Sequence, residues 1–276
     1  MLSLPMLGGM DNVPAELRDF ASAKRPLRPS KCCSFGGCPM AIVLSMHDEG
    51  GAGGRAADTG SLVHAAVKAF HSTSGAGRVA AGQAALRAAR EQFPAGDEEK
   101  GLRVFGSYAE DKANAEAEVV WCEERVTLRL QAAPEDPTQE AIVIAGTLDQ
   151  VRRGRDGVLT VWDVKTGDAK NEKETLNEYA IQQAVYTLAA QQTLDPAITT
   201  GGIIYTPAYG KARANAHLPL TLTTETCNIL LLPLVHWVAL IRKGIPLFRP
   251  SADNCAWCPV KPWPKCRDLF RGIYGV

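Results

Sequence analysis

Apolar residues recur along the chain with two spacings, and each spacing predicts a type of element. From Gly60 to Ser72 they recur every three or four positions, which predicts an amphipathic helix with His64 near its start. Helices are also predicted over four other segments: 79–92, 102–118, 178–191 and 224–243. Segments rich in β-branched and aromatic residues with partial alternation predict four strands: 119–130, 141–151, 158–164 and 202–206.

The order of these elements predicts the fold class. Helices precede three strands, and a helix, a strand, a helix and a Cys-rich tail follow; the turn 153–157 joins the second and third strands as a hairpin. This order is typical of an α/β fold with a central mixed sheet flanked by helices. Residues 1–26 lack sustained periodicity, so we expect a flexible N-terminal arm followed by a single domain over residues 27–276.

Composition and charge exclude several classes of protein. With 46% hydrophobic and 22% charged residues, the chain is not collagen-like, coiled-coil or wholly disordered. The 30 basic residues balance the 30 acidic ones, so any nucleic-acid site would need a local basic groove. The longest apolar stretch, 229–241, is shorter than the ~20 residues that cross a bilayer, which predicts a buried helix. The N-terminus lacks the basic start of a signal peptide, so we expect an intracellular protein with no membrane association.

Two acidic residues and a lysine lie on the predicted second and third strands. Asp163 and Lys165 are two residues apart, so their side chains share one face of a strand, with Val164 on the other. If Asp149 of the preceding strand faces the same way, two carboxylates and an ammonium group converge. Carboxylate oxygens are the ligands that Mg²⁺ and Mn²⁺ prefer, and such an ion with a neighbouring lysine suits phosphodiester hydrolysis.

Four short motifs carry a resemblance to a known family. They are Gly60-Ser61-Leu62-Val63-His64, Gly146-Thr147-Leu148-Asp149, Asp163-Val164-Lys165 and Gln182-Gln183-Ala184-Val185-Tyr186. In this order they resemble the motif series of RecB-like nucleases of the PD-(D/E)XK superfamily. The resemblance extends over about residues 27–270.

The resemblance implies a role for each matching residue. His64, Asp149 and Asp163 would bind the catalytic Mg²⁺ or Mn²⁺ together with the carbonyl group of Val164. Lys165 would assist the attacking water. Gln182 and Tyr186 would line the active site and contact DNA, and their spacing of four places them on one face of a helix.

The cysteines form a second constellation. Cys255, Cys258 and Cys266 lie close together in the C-terminal tail, and Cys38 is the leading candidate for a fourth thiolate ligand. Thiolates alone leave zinc and an iron–sulfur cluster as alternatives. The resemblance implies a four-iron four-sulfur (4Fe–4S) cluster that joins the N- and C-terminal segments, as in CRISPR-associated exonucleases, AddB-type subunits and phage-encoded relatives. Cys32 and Cys33 compete with Cys38 for this role, whereas Cys122 and Cys227 are expected to be reduced, buried thiols.

These observations together predict a metal-dependent DNA nuclease, with an exonuclease acting on single-stranded DNA or DNA ends as the expected activity. A helicase, recombination or CRISPR-associated partner protein is compatible with the resemblance. Local basic residues are expected to bind DNA: Arg152, Arg153, Arg155, Lys211 and Arg213. The alternatives are a noncatalytic DNA-binding or recombination-accessory module that retains the fold, and a zinc-stabilised structural protein.

Overall fold

The structure is a computed structural model that describes residues 13, 15–32, 38–45, 54–131, 140–166, 172–207 and 215–245, with backbone alone at 15–16, 44–45 and 172–178. The helices among these residues are α1 (Ala15–Arg18), α2 (Pro29–Cys32), α3 (Pro39–Ser45), α4 (Arg55–Ser72), α5 (Arg78–Ala89), α6 (Glu98–Glu110), α7 (Lys112–Ala115), α8 (Glu172–Thr193) and α9 (Thr224–Arg242). The strands are β1 (Glu118–Leu130), β2 (Ile142–Arg153), β3 (Leu159–Thr166), β4 (Thr199–Thr206) and β5 (Ala216–Pro219).

The five strands form one mixed sheet in the order β1-β2-β3-β4-β5. β2 and β3 are antiparallel, β3 and β4 are parallel, and β4 and β5 are antiparallel. The parallel pair requires a crossover, which α8 supplies. The sheet and its helices confirm the predicted α/β fold class.

Most of the predicted elements are present with shifted ends. The helix predicted over 102–118 is wrong in its bounds: α6 begins at Glu98 because the Asp97 side chain accepts a hydrogen bond from the Lys100 N–H and caps the helix. Asp111 caps α7 in the same way, so the helical segment divides there. The predicted hairpin is confirmed, since the Gly154 N–H donates to the Val158 carbonyl (2.8 Å). Strand β5 was not predicted, because four residues are too few to establish a periodicity.

Two compact units make up the chain, each assembled from non-contiguous segments. The first contains residues 1–50, 127–145 and 228–276; the second contains 51–126 and 146–227. The single domain predicted over 27–276 therefore stays a prediction.

In the second unit, helices α4, α5 and α6 pack together over the sheet. The core of this unit combines apolar residues of the three helices with two strand residues: Leu62, Val63, Ala66, Val67, Phe70, Leu86, Val104, Phe105, Tyr108, Val164 and Ile204. Five of them lie on one face of α4, as its apolar spacing predicts. This packing orients α4, and with it His64, toward the ends of β2 and β3.

In the first unit, residues 17–26 include several buried side chains. Phe20 and Ala21 are buried, and the Ala21 carbonyl accepts a hydrogen bond from the Val143 N–H of β2 (2.7 Å). The Arg242 guanidinium of α9 also donates to the carbonyl groups of Phe20 and Ala21 (2.9 Å each) and of Ala141 (3.1 Å). Residues 20–21 are therefore held against the rest of this unit; residues 1–12 and 14 lie outside the described residues, and the flexible arm predicted over 1–26 stays a prediction.

Helix α9 is the apolar helix that the sequence predicts to be buried. It is 19 residues long with a mean hydropathy of 1.5, so it is long and apolar enough to cross a membrane by length and composition alone, and 28% of this stretch is buried. The burial follows one face, through Leu231, Leu234, Val238 and Ile241, while Leu232 is 63% exposed. The predicted burial thus holds for one face of the helix.

Candidate metal centre

The candidate site lies where β2 and β3 stop pairing. Their ladder runs from Arg153–Leu159 to Gln150–Trp162, whereas the β3–β4 ladder continues to Thr166–Thr206. Asp149 and Asp163 each lie one residue beyond the Gln150–Trp162 pair. The antiparallel register therefore brings two acidic residues together, as the sequence predicts.

At this point the side chain of Asp149, instead of a backbone carbonyl group of β2, accepts the hydrogen bond of a β3 N–H group. Its Oδ2 accepts a hydrogen bond from the Val164 N–H (2.6 Å), while its Oδ1 lies 3.5 Å from His64 Nδ1. The carboxylate thus contacts β3 through one oxygen and α4 through the other. Both Asp149 and Val164 are buried.

Asp163, Lys165 and Gln182 form a second group on the other side of Asp149. The ammonium group of Lys165 lies 2.8 Å from Asp163 Oδ2 and 3.1 Å from Oδ1, and it donates to Gln182 Oε1 (3.4 Å). The Gln182 amide in turn donates to Asp163 Oδ1 (3.3 Å). Lys165 Nζ also lies 4.7 Å from the centre of the Tyr179 ring. The side chains of Asp163 and Lys165 therefore lie on the same face of β3, as predicted.

Tyr186 lies one turn after Gln182 on α8 and is 7% exposed. Burial and the negative charges of Asp149 and Asp163 raise the pKa of its hydroxyl group, although a hydrogen bond with Gln182 opposes this effect. Its phenol is therefore neutral near pH 7. The spacing of four has placed Gln182 and Tyr186 on one helix face, close to the carboxylates.

His64 reaches the carboxylates from α4, and Gly60 lies one turn earlier on the helix. A Cβ atom at Gly60 would lie 3.4 Å from Thr166 Oγ1, so the start of α4 runs against the end of β3. The four-residue spacing then puts His64 on the same face as Gly60, toward Asp149. This arrangement is a physical reason for the Gly60–His64 spacing.

Glu123 of β1 belongs to the site and was missed by the sequence reasoning. Its Oε1 lies 2.7 Å from His64 Nδ1, and ligand atoms of His64, Glu123 and Asp149 all lie within 4.8 Å of one another. Its backbone adopts a left-handed conformation (φ +54°), which is rare for a residue other than glycine and typical of strand irregularities that redirect a side chain. The available signal was a pair of acidic residues, Glu123 and Glu124, directly after the apolar run 119–122.

Negative charge exceeds positive charge around His64. Burial disfavours the protonated imidazole, but Asp149, Glu123 and Asp163 outweigh burial and raise the pKa of His64 to about 9. Burial and the neighbouring Asp163 and Glu123 carboxylates raise the pKa of Asp149, while His64 and Lys165 oppose the rise. The raised pKa values of His64 and Asp149 reflect an excess of negative charge that a divalent cation would balance.

The donor set fits a hard divalent cation. It offers carboxylate oxygens from Asp149, Asp163 and Glu123 and one imidazole nitrogen, which are ligands that Mg²⁺ and Mn²⁺ accept. Asp163 Oδ2 is buried and receives no well-aligned hydrogen bond, in spite of its short distance to Lys165 Nζ. This oxygen therefore retains lone pairs for an additional partner.

Burial alone would lower the pKa of Lys165, but Asp163 and Asp149 outweigh burial and raise it. The side chain is therefore an ammonium group near pH 7. It is suited to orient a water molecule or to balance negative charge, and it is not a base.

Arg152, one of the predicted DNA-binding residues, is buried. Arg152 is 8% exposed and donates to Gln150 Oε1 (2.8 Å) and Asn114 Oδ1 (2.9 Å), so its prediction as a DNA contact is wrong. Arg153 contacts Glu118 (2.9 Å) and Arg155 is exposed. Lys211 and Arg213 lie outside the described residues.

The predicted cluster ligands are mostly outside the described residues as well: Cys255, Cys258 and Cys266 cannot be placed, nor can the competing Cys33. Cys38 is partly exposed and immediately precedes α3, whereas Cys32 is buried and its Sγ lies 3.6 Å from the Arg28 carbonyl. Cys227 is buried as predicted, and Cys122 is partly buried.

Comparison with protein families identifies the superfamily of this chain. Residues 26–266 match the PD-(D/E)XK nuclease superfamily, and the chain belongs to this superfamily. Membership implies a metal-dependent nuclease with DNA as its substrate. No curated protein matches the chain significantly. Among solved structures, the chain is similar to one titled "Crystal structure of SSO0001", with 14% sequence identity and a TM-score of 0.36. The match covers 72% of this chain and 92% of that chain.

Proposed function

We propose that this chain is a Mg²⁺- or Mn²⁺-dependent deoxyribonuclease, and that it acts as an exonuclease on single-stranded DNA or DNA ends. The observation that supports this most strongly is the convergence of Asp149 and Asp163, with Lys165 on one side and His64 with Glu123 on the other. A carboxylate pair that served only the fold would not need both a buried ammonium group and an imidazole.

The proposed ligands are His64, Asp149, Asp163, the Val164 carbonyl group and, in addition, Glu123. When bound there, the metal ion would act as a Lewis acid toward the scissile phosphate and would lower the pKa of water. Asp149 has the central position in this set, because its Oδ2 accepts the Val164 N–H and so fixes the backbone whose carbonyl is a further ligand.

Lys165 is proposed to orient the attacking water and to offset the negative charge that develops on the phosphoryl oxygens. Gln182 forms hydrogen bonds with both Lys165 and Asp163, so it holds the ammonium group next to the carboxylate. Tyr186 supplies a neutral hydroxyl group next to Gln182. In-line attack by water would leave a 3′-hydroxyl and a 5′-phosphate.

The exonuclease assignment is tested with linear and circular single-stranded DNA of equal length. An exonuclease requires an end, so we expect mononucleotides or short fragments from the linear substrate and no cleavage of the circular one. Cleavage of both substrates at equal rates would contradict the exonuclease assignment, although the protein would still be a nuclease.

Glu123 is expected to contribute directly to metal binding. We expect Glu123→Gln to weaken Mn²⁺ binding by about 10- to 100-fold, because it removes one negative charge while it keeps the shape of the side chain. Calorimetric titration with Mn²⁺ measures the effect. Glu118→Gln on the same strand is the matched control, since Glu118 contacts Arg153 on the surface; equal affinities of both variants would exclude Glu123 from the ligand set.

A 4Fe–4S cluster held by Cys38, Cys255, Cys258 and Cys266 is the second proposed cofactor. The buried thiol of Cys32, which lies 3.6 Å from the Arg28 carbonyl group, favours Cys38 over Cys32 as the N-terminal ligand. Thiolates in this number would connect distant parts of the chain, and part of the binding free energy would then stabilise the fold. Anaerobically purified protein is expected to be brown and to lose both colour and thermal stability in Cys255→Ala; a colourless, zinc-containing protein would contradict the cluster.

An intracellular location and a helicase, recombination or CRISPR-associated partner belong to the same proposal. The partner is supported by the resemblance of the motifs to RecB-like nucleases.

A further inference from the structure

A cavity of about 470 Å³ opens beside the candidate metal centre, and Lys165 is not one of the residues that line it. His64, Glu123 and Asp149 form one part of its wall, and the remainder consists of residues that the proposed hydrolysis does not use: Ser61, Ala65, Lys68, Phe93 and Thr147. The volume lies within the range of about 300–1,000 Å³ typical of small-ligand sites. Such a cavity has room for one nucleotide next to the scissile phosphate.

The spacing of residues along two elements explains how this wall is formed. Ser61, His64, Ala65 and Lys68 recur every three or four positions on α4, so they share one face of the helix. Thr147 and Asp149 are two residues apart on β2 and share one face of the strand. The faces that present His64 and Asp149 to the metal centre therefore continue into the cavity.

Lys68 brings a positive charge to this cavity. It lies one helical turn after His64, it is exposed, and its Nζ lies 3.5 Å from the Glu123 carbonyl oxygen. This contact is with a neutral carbonyl group, and Lys68 forms no ion pair among the described residues. A lysine in this position is suited to a phosphate group one nucleotide away from the reacting one.

Phe93 brings an aromatic ring. It lies in the turn after α5, where it packs partly against the core of the second unit and otherwise lines the cavity, so the ring is half-buried. The bases of single-stranded nucleic acids stack on aromatic side chains in this kind of groove. A base inside a duplex is covered on both faces by its stacked neighbours, so it cannot offer a face to such a ring.

We propose that this cavity is the subsite for the nucleotide adjacent to the scissile phosphate, that Lys68 binds its phosphate, and that Phe93 stacks on its unpaired base. This inference rests on the proposed nuclease function, and it makes Phe93 a determinant of the preference for single-stranded ends. The nucleotide is held by its backbone and its aromatic face, so the subsite is indifferent to sequence.

The test measures equilibrium binding of fluorescein-labelled oligonucleotides in Ca²⁺, by anisotropy, for the wild type, Phe93→Leu and Phe93→Tyr. Leucine retains the apolar packing against the core, and tyrosine retains the ring. We expect Phe93→Leu to weaken binding of single-stranded DNA by about 5- to 100-fold and Phe93→Tyr to restore it. A second series of oligonucleotides carries a single abasic site at a different position in each. The difference in Kd between Phe93→Leu and the wild type is expected to disappear when the abasic site occupies the position that stacks on Phe93. Unchanged binding by Phe93→Leu, or the same loss at every abasic position, would overturn the stacking role.

The phosphate contact has a separate readout. Lys68→Gln is expected to reduce the slope of log K against log salt by about 0.7, the contribution of one phosphate contact on a single strand, and Lys68→Arg to retain it. Lys112→Gln is the control, because Lys112 is on α7 and does not line the cavity. A slope in Lys68→Gln equal to that of the wild type would exclude the contact.

Parallel cleavage assays distinguish failure of this subsite from failure of the nuclease function. If the wild type degrades single-stranded DNA while Phe93→Leu keeps the wild-type Kd and KM, the subsite is wrong and the nuclease function remains. If the wild type does not cleave but Phe93→Leu weakens binding as expected, the subsite remains and the hydrolytic function is wrong. With both correct, Phe93→Leu raises KM by more than it lowers kcat.

Discussion

Lys165→Ala is expected to lower kcat for DNA cleavage by about 10²- to 10³-fold, the effect of removing one charged group that stabilises a transition state. The reason is geometric as well as electrostatic, because Lys165 Nζ is held between Asp163 and Gln182 and its pKa is raised by the neighbouring carboxylates. DNA binding should change little, since the ammonium group is largely buried. Single-turnover cleavage together with anisotropy measures the two quantities separately.

Lys112→Ala provides the matched control for this variant. Lys112 is highly exposed and pairs with Glu116 on the surface, so its loss should leave both kcat and binding at wild-type values. Cleavage by Lys165→Ala at the rate of the Lys112→Ala control would contradict the catalytic role of Lys165.

Asp149→Asn is expected to abolish metal-dependent cleavage without destabilising the metal-free fold. An asparagine keeps an oxygen that accepts the Val164 N–H but removes the negative charge between His64 and Asp163. Because burial and the neighbouring carboxylates raise the pKa of Asp149, its charged form is disfavoured in the folded protein near pH 7. The free energy of unfolding of the metal-free variant, measured in urea, should therefore equal or exceed that of the wild type.

Asp156→Asn is the control for the loss of an aspartate charge. Asp156 Oδ1 accepts the Val158 N–H in the hairpin turn, away from the metal centre, and asparagine can do the same. This variant should cleave DNA as the wild type does. Asp149 is thus assigned a role in catalysis that lowers the stability of the fold. A large loss of stability in Asp149→Asn, or retained Mn²⁺-dependent cleavage by this variant, would contradict that assignment.

The order of elements and the hairpin could be predicted because they depend on local spacing. The convergence of Asp149, Asp163 and Lys165 followed from the antiparallel register and from the two-residue period of a strand. The ligand role of His64 was implied only by the resemblance of the four motifs to a known family. The hairpin and the strand faces require no knowledge of distant contacts.

Two side chains could not be placed by such reasoning. Glu123 reaches His64 through a left-handed backbone conformation that no strand periodicity predicts. Arg152 looks like a surface cation in sequence, but Tyr108, Asn114 and Gln150 supply buried hydrogen-bond partners from three different elements. Both outcomes depend on tertiary contacts between residues up to 59 positions apart.

The noncatalytic alternative is less well supported than the nuclease. A binding module has no need for two buried carboxylates that lie next to an imidazole and a largely buried ammonium group. Burial of several ionisable groups costs stability and is retained where chemistry depends on it.

The most direct test of the nuclease function is cleavage of end-labelled single-stranded DNA by anaerobically purified protein in Mn²⁺ or in EDTA, beside Asp163→Ala. The account predicts degradation by the wild type in Mn²⁺ only, and none by Asp163→Ala under either condition. Intact DNA after incubation with folded wild-type protein in Mn²⁺, or equal degradation by Asp163→Ala, would contradict it.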